Sequence, residues 1–205
     1  MIKNIIFDIG NVILNFNYER VLNSYTSNKK DQDFIKKNIY NSPEWLGNSI
    51  LDIGYITKDE AIKKVQERTN HTNDKLIYDF WKKCNKYAYI DKNVLEIITK
   101  LKEKGYKIYL LSNINEDMHN HIKNNKLFKI VDGYILSYLE HKIKPHEDIY
   151  KTLIKKYNIN PKESIFIDDN KNNIETANKL DFIAAKVEPD NYKDIIKILN
   201  NLNII

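Results

Sequence analysis

The stretch IIFDIGNVILNF, residues 5–16, is an apolar run that stops at a carboxylate, Asp8, passes a glycine, Gly10, and turns apolar again. A short unbroken apolar run of this kind reads as a strand covered on both faces, which is the habit of parallel sheets. In open parallel sheets ligands bind beyond the carboxyl ends of the strands. An aspartate at that end is therefore a candidate for chemistry, although alone it reads equally well as a turn or cap residue.

Working outward, three further runs read as strands: YKIYLLS (106–112), SIFIDD (164–169) and FIAAKV (182–187). Helical patterns separate them. NVLEIITKLKEKG (93–105) places Val94, Ile97, Ile98 and Leu101 on one face and ends at a glycine. EDIYKTLIKKYNI (147–159) and NNIETANKL (172–180) follow the same logic. Strands alternating with helices predict a Rossmann-like, doubly wound parallel sheet in an α/β protein. Residues 17–88 show no strand alternation and read as helical; TKDEAIKKVQERT (57–69) is the clearest case, with Thr57 as cap and Glu60 in the matching position. The expected organisation is an α/β core of residues 1–16 and 89–205, with a small helical cap, residues 17–88, inserted after the first strand. LDIGYITKDE (51–60) breaks the helical pattern at Gly54 and is expected to be the cap loop facing the site.

The composition narrows the function classes. The chain has 205 residues, 42% hydrophobic and 30% charged, enough for a good-sized core and a small second unit. Net charge is +5, but the lysines are interleaved with acids and form no basic run. That pattern argues against nucleic acid and suits a small anionic substrate. The single cysteine, Cys84, permits no internal disulfide, points to a reducing compartment and reads as a small core hydrophobe. No secretory signal opens the chain and no stretch approaches the ~20 apolar residues of a membrane span, so a cytoplasmic location away from membranes is expected. Oligomeric state is left open.

The chemistry gathers at strand ends: Asp8, Ser112–Asn113 and Asp168–Asp169, with Lys144 before a helix in KIKPHEDIY and Pro145 stiffening the backbone behind it. Three carboxylates in one crevice would repel one another, and a hard cation such as Mg²⁺ resolves this with oxygen ligands. A metal beside a lysine and a serine makes a phosphate-handling site. An aspartate in that setting can attack phosphorus and form an aspartyl-phosphate.

The order D-x-G-N-V, L-L-S-N, K-P-x-x-x-I-Y, F-I-D-D-N resembles the haloacid dehalogenase superfamily, with four motifs in order across essentially the whole chain. The DIGNV form is similar to the branch that includes α-D-glucose-1-phosphate phosphatases. The resemblance implies a Mg²⁺-dependent phosphatase acting on a small phosphorylated metabolite, with a sugar phosphate as one substrate class. It makes Asp8 the nucleophile and a metal ligand, and Ser112 and Asn113 binders of the phosphoryl group. It gives Lys144 the task of stabilising the transition state and pairing with Asp8. Asp169 becomes the second carboxylate on the metal, with Asp168 as direct or water-mediated helper. Most phosphatases of the superfamily carry a second aspartate two residues after the nucleophile, which protonates the leaving group. Here that position is Gly10, which keeps only the backbone carbonyl that would serve the metal and line the substrate site. The departure leaves two alternatives standing, a non-catalytic binding protein and a 2-haloacid dehalogenase; the Asp168–Asp169 pair speaks against the second.

Other residues have plainer readings. His119 and His121, two apart, do not share a helix face and are expected at the surface. His146 lies close enough to Lys144 in sequence to reach substrate. Trp45, Tyr55, Tyr78 and Trp81 are expected in the core of the cap, with one of them at the mouth of the site.

Overall fold

The computed structural model describes residues 1–45 and 50–205, so residues 46–49 of the expected insertion lie outside the described residues. The strands are β1 (Asn4–Phe7), β2 (Leu14–Asn15), β3 (Tyr89–Ile90), β4 (Lys107–Ser112), β5 (Gly133–Leu136), β6 (Ser164–Asp168) and β7 (Ile183–Lys186). Five form one sheet in the order β5-β4-β1-β6-β7, with parallel pairing throughout. The sequence predicts four of these five. β5 is the exception, because GYIL is short, opens on a glycine and is only half buried.

The helices are α1 (Tyr18–Tyr25), α2 (Lys29–Ile35), α3 (Lys58–Arg68), α4 (Asp74–Lys83), α5 (Lys92–Glu103), α6 (Glu116–Ile122), α7 (Leu127–Ile130), α8 (Ser137–Glu140), α9 (Glu147–Tyr157), α10 (Lys171–Lys179) and α11 (Tyr192–Asn201). Strand alternation explains their placement. Ile5 and Phe7 of β1 point to one face and join Ile108, Leu110, Ile165 and Ile167 against Val94, Ile98 and Leu101 of α5 and Ile195 of α11. Ile6 points to the other face and joins Tyr109, Leu111 and Phe166 against Ile149, Tyr150 and Leu153 of α9 and Ala177 of α10. Helices thus cover both faces of the sheet, as expected of a doubly wound fold. Each fully buried Ile, Leu or Phe contributes about 1.5–3 kcal/mol of hydrophobic stabilisation.

Helices α1 to α4 lie between β2 and β3. They enclose their own cluster, in which Val21, Leu22, Ile35, Ile39, Val65, Ile77, Phe80, Trp81 and Cys84 are all buried. The capping box expected at Thr57 is present: its hydroxyl accepts from the Glu60 N–H, and Glu60 accepts from the Thr57 N–H. β2 and β3 pair antiparallel, Leu14 with Ile90 and Asn15 with Tyr89, so the chain leaves for these helices and returns from them side by side. Two of the expected cap aromatics are not core. Tyr55 stacks beside His141 at 6.1 Å and is 65% exposed, and Tyr78 sits under Lys82 at the surface.

Candidate active site

β1 is the central strand, and its register with both neighbours decides the site. Phe7 pairs with Leu110 of β4 and with Ile167 of β6, so Asp8 emerges beside Asp168, its own N–H donating to the Ile167 carbonyl at 2.9 Å. β4 runs on to Ser112, and Asp169 follows β6 directly. Three strand ends therefore deliver Asp8, Ser112 and Asp168–Asp169 to one edge of the sheet.

Lys144 completes the group from the segment before α9. It is 1% exposed, and its ammonium donates to Asp168 Oδ2 at 2.6 Å, Asp8 Oδ1 at 2.9 Å and the Leu111 carbonyl at 2.9 Å. All three ammonium protons have partners, as a buried lysine requires. Burial works against its charge, but the Asp168 and Asp8 carboxylates more than offset this and hold the amine above its usual range. Asn113 fixes the main chain of Lys144: its Oδ1 accepts from the Lys144 N–H at 2.8 Å and its amide donates to the Lys144 carbonyl at 2.9 Å.

Charge does not balance. Asp8, Asp168 and Asp169 bring ligand oxygens within 4.8 Å of one another, and among the described residues Lys144 is the one lysine bonded to them. Burial, followed by the neighbouring acids, outweighs Lys144 and pushes the Asp8 carboxyl up to about 7. Burial also raises Asp169. Such a cluster fits a hard divalent cation, since its donors are all carboxylate oxygen and their surplus negative charge is what the ion would neutralise.

Three asparagines to which the motif reading gave no role at the site hold this frame. Asn173, in the first turn of α10, donates to both oxygens of Asp168 at 3.0 Å. The Asn170 N–H donates to Asp168 Oδ1 at 2.8 Å, while the Asn170 side chain caps α10. Asn11 donates to Asp169 Oδ2 at 3.0 Å from a left-handed backbone conformation, φ 56°, a region that asparagine tolerates better than most side chains. Its place in DIGNV was the available signal. Asn115, the cap of α6, donates its amide N–H to Asp52 Oδ1 at 3.0 Å.

Above the frame lies a cavity of about 140 Å³. Gly10, Asn11, Ser112 and Asn113 form its floor, and Tyr18, Glu44, Trp45, Leu51, Asp52 and Asn85 come from the α1–α4 side. Among the described residues no lysine or arginine lines it. A Cβ built on Gly10 would meet nothing within 4 Å, so the glycine leaves open space toward this cavity and is not required by packing. Of the 51–60 segment, Leu51 and Asp52 face this cavity, while residues 54–60 line a separate one. The Ser137 hydroxyl donates to the Asp52 carbonyl at 2.5 Å, His141 Nδ1 lies 3.0 Å from the Ile53 carbonyl, and Gly54, at φ 78°, sits where a Cβ would come 2.6 Å from the Tyr138 carbonyl. Lys58 of α3 and Asn85 both bond Asp117 of α6.

His119 differs from the surface reading. It is 8% exposed, its Nδ1 lies 2.7 Å from the Tyr138 hydroxyl, and Phe128 and Tyr134 pack around it; burial lowers its pKa. The helix face it shares with Met118 and Ile122 turns inward, while His121 is exposed. His146 is exposed and does not line the cavity. Trp45 does line it, whereas Trp81 and Cys84 are buried in the helical cluster.

An open parallel sheet with three carboxylates and a buried lysine at its carboxyl edge defines a class of α/β hydrolases. The haloacid dehalogenase-like hydrolase family matches residues 2–181, and the chain belongs to that family. It is 27% identical over 213 residues to a D-ribitol-5-phosphate phosphatase of Bacteroides thetaiotaomicron, covering 95% of each chain. It is 23% identical over 183 residues to a sesquiterpene phosphatase of Aspergillus oryzae, covering 89% of this chain and 88% of that one. A haloacid dehalogenase-family enzyme of Bacteroides thetaiotaomicron, crystallised with magnesium and inorganic phosphate, superposes with a TM-score of 0.74 at 28% identity, over 93% of this chain and 96% of that one. With this family and these relatives, the chain is a phosphoric monoester hydrolase. Among the described residues no helix is long and apolar enough to cross a membrane.

Proposed function

We propose that the chain is a Mg²⁺-dependent phosphatase of a small phosphorylated metabolite, a sugar or polyol phosphate, working through an aspartyl-phosphate on Asp8. The observation that carries this is the buried Lys144 shared by Asp8 and Asp168 beside a third carboxylate, Asp169. Asp8 Oδ1 is held by Lys144 and by the Ile9 N–H at 2.7 Å, so Oδ2 is the oxygen that attacks phosphorus. Lys144 steadies the nucleophile and the charge that grows on the phosphoryl oxygens. Ser112 offers its hydroxyl to the phosphoryl group. The Asn113 side chain positions Lys144, so its part in phosphoryl binding falls to its main chain.

Asp8, Asp169 and the Gly10 carbonyl would hold the metal, with Asp168 beside them orienting Lys144. Bound there, Mg²⁺ would neutralise phosphate charge and the surplus of the cluster. The cavity supports the substrate class. At about 140 Å³ it has room for roughly five waters, which suits a small polyol. Asn85, Asn115 and Asp52 offer hydrogen bonds, while Phe16, Tyr18 and Trp45 offer an apolar wall, and among the described residues no cation lines the cavity to receive a second anionic group. In this reading residues 1–16 and 89–205 are the catalytic core, residues 17–88 the cap that selects substrate, and the enzyme works in the cytoplasm.

The test is release of inorganic phosphate from a panel of sugar, polyol, aryl and nucleoside phosphates, with Mg²⁺ and with excess EDTA, and 2-chloropropionate as a control. The expected result is turnover of small polyol or sugar phosphates that EDTA abolishes. Chloride release unaffected by EDTA would overturn it.

A further inference from the structure

We infer that the carboxylates of Glu44 and Asp52 make the facing wall of the cavity a charge filter for the leaving group. The wall favours a leaving group that carries an ammonium, as an amino sugar or amino alcohol phosphate does, and turns away one with a second anionic group. This deepens the phosphatase reading and rests on it. Both residues line the cavity whose floor is Gly10, Asn11, Ser112 and Asn113. No lysine or arginine among the described residues lines it, and Leu46, Gly47, Asn48 and Ser49 carry no charged side chain.

Each carboxylate keeps its charge by a contact that brings no cation to the cavity lining. Glu44 is buried, which works against its charge, but two guanidinium nitrogens of Arg68 bond it at 3.1 and 2.8 Å and hold the carboxyl below its usual range. Arg68 is not part of the lining and its side chain is exposed, so it reaches Glu44 from the solvent side. Asp52 Oδ1 accepts from the neutral Asn115 amide at 3.0 Å. The Asn115 oxygen accepts from the Met118 N–H at 3.0 Å, which fixes the direction of that amide. The Asp52 charge is felt in the cavity: burial first, then Asp52 and more weakly Asp169, push the Tyr18 phenol up.

The uncharged part of the wall suits a cation too. Phe16, Tyr18 and Trp45 line the same cavity, with ring centroids 5.7 Å apart for Phe16 and Tyr18 and 6.3 Å from Trp45 to each. Ring faces attract an ammonium and give a carboxylate nothing in return. Salt screens partly buried charges poorly, so the filter acts at physiological ionic strength. Selection of this kind is a difference of affinities, gained by repelling the wrong charge as much as by attracting the right one. A unit charge about 8 Å from a carboxylate, at an effective dielectric of about 20, changes affinity by about 30-fold.

The experiment measures inhibition of 4-nitrophenyl phosphate hydrolysis, with Mg²⁺ at neutral pH, by three phosphates of matched size. These are 2-aminoethyl phosphate, 2-hydroxyethyl phosphate and phosphoglycolate, whose outer ends are cationic, neutral and anionic. In the wild type Ki should rise in that order, by about tenfold or more at each step. Asp52→Asn and Glu44→Gln keep the shape of the residue they replace. Each should weaken 2-aminoethyl phosphate, tighten phosphoglycolate and narrow the spread between them by about tenfold. A merely structural role would shift all three alike. If Glu44→Gln does not fold, Asp52→Asn decides. Equal or reversed Ki values in the wild type, or an unchanged spread in Asp52→Asn, would overturn the filter and leave the phosphatase reading intact. A wild type that does not cleave 4-nitrophenyl phosphate would overturn both.

Discussion

The two walls of the cavity are built on opposite plans. The core wall is a closed charge network: Lys144 spans Asp8 and Asp168, Asn173 holds both Asp168 oxygens, and Asn11 holds Asp169. The facing wall is a set of separate groups: Tyr18 and Trp45 in an aromatic cluster, Glu44 on Arg68, and Asp52 on Asn115. A network loses function when any member goes, because each group's partners are left buried and unpaired. Separate groups can be changed one at a time. That division suits an enzyme whose reaction is fixed in the core and whose substrate is chosen across from it.

The core wall should break first and hardest. If Asp8 is the nucleophile, as proposed, Asp8→Asn takes away the attacking oxygen but keeps the shape, and kcat should fall by about 10⁴-fold or more. The same change removes one acid from a cluster with too few cations, so metal-free Asp8→Asn should melt above the metal-free wild type. Thermal melts and phosphate release read the two effects separately. Residual turnover near the wild-type rate would take the nucleophile role away from Asp8.

Lys144→Met comes next. Losing the ammonium should lower kcat by about 10²–10³-fold, more than it raises KM, because phosphoryl charge is largest in the transition state. It also leaves Asp8 and Asp168 buried without their cation, which should cost about 3–5 kcal/mol of stability in metal-free protein. Added Mg²⁺ should return part of that stability to the variant. Equal melting of variant and wild type without metal would show that the carboxylates carry no net charge there.

The same contrast governs what the sequence discloses. The core wall is legible because a buried parallel strand announces itself as an apolar run, and the register of three adjacent strands brings their last residues together. Asp8, Ser112 and Asp168 follow from that alone. β5 is not legible, because its order depends on a tertiary contact: the Tyr157 hydroxyl accepts from the Tyr134 N–H at 2.9 Å and donates to the Tyr134 carbonyl at 3.0 Å, and its ring lies where a Gly133 Cβ would be. The facing wall is harder still. A helical period shows which residues turn inward, as at Val65 and Phe80, but not which helix they meet. Asp52 and Glu44 sit in segments without period, and only the docking of the 51–54 backbone on Ser137 and Tyr138 gives Asp52 its place. His119 shows the same limit, since a spacing rule about two histidines says nothing of the Phe128–Tyr134–Tyr138 pocket that takes one of them.

The smallest effect is expected at Arg68, where the facing wall meets solvent. Glu44 is only 4% exposed, while the Arg68 side chain is 42% exposed. Burial alone would raise the Glu44 carboxyl, but the Arg68 fork outweighs it and holds the group below its usual range. Arg68→Met should cost about 1–2 kcal/mol, the lower part of the range for charge-assisted bonds because one partner is wet, or a few °C in Tm. A carboxyl held low contributes stability that is present above its unfolded value and is lost as pH falls through its folded one. The gap between wild type and variant should therefore be widest above about pH 5 and close as the pH drops below about 4. Urea unfolding of both proteins across that range reads it directly. A gap that stays constant with pH would mean that Arg68 stabilises the protein through the packing of its stem against α3 and not through Glu44, and the facing wall would then hold a carboxylate with no dedicated partner.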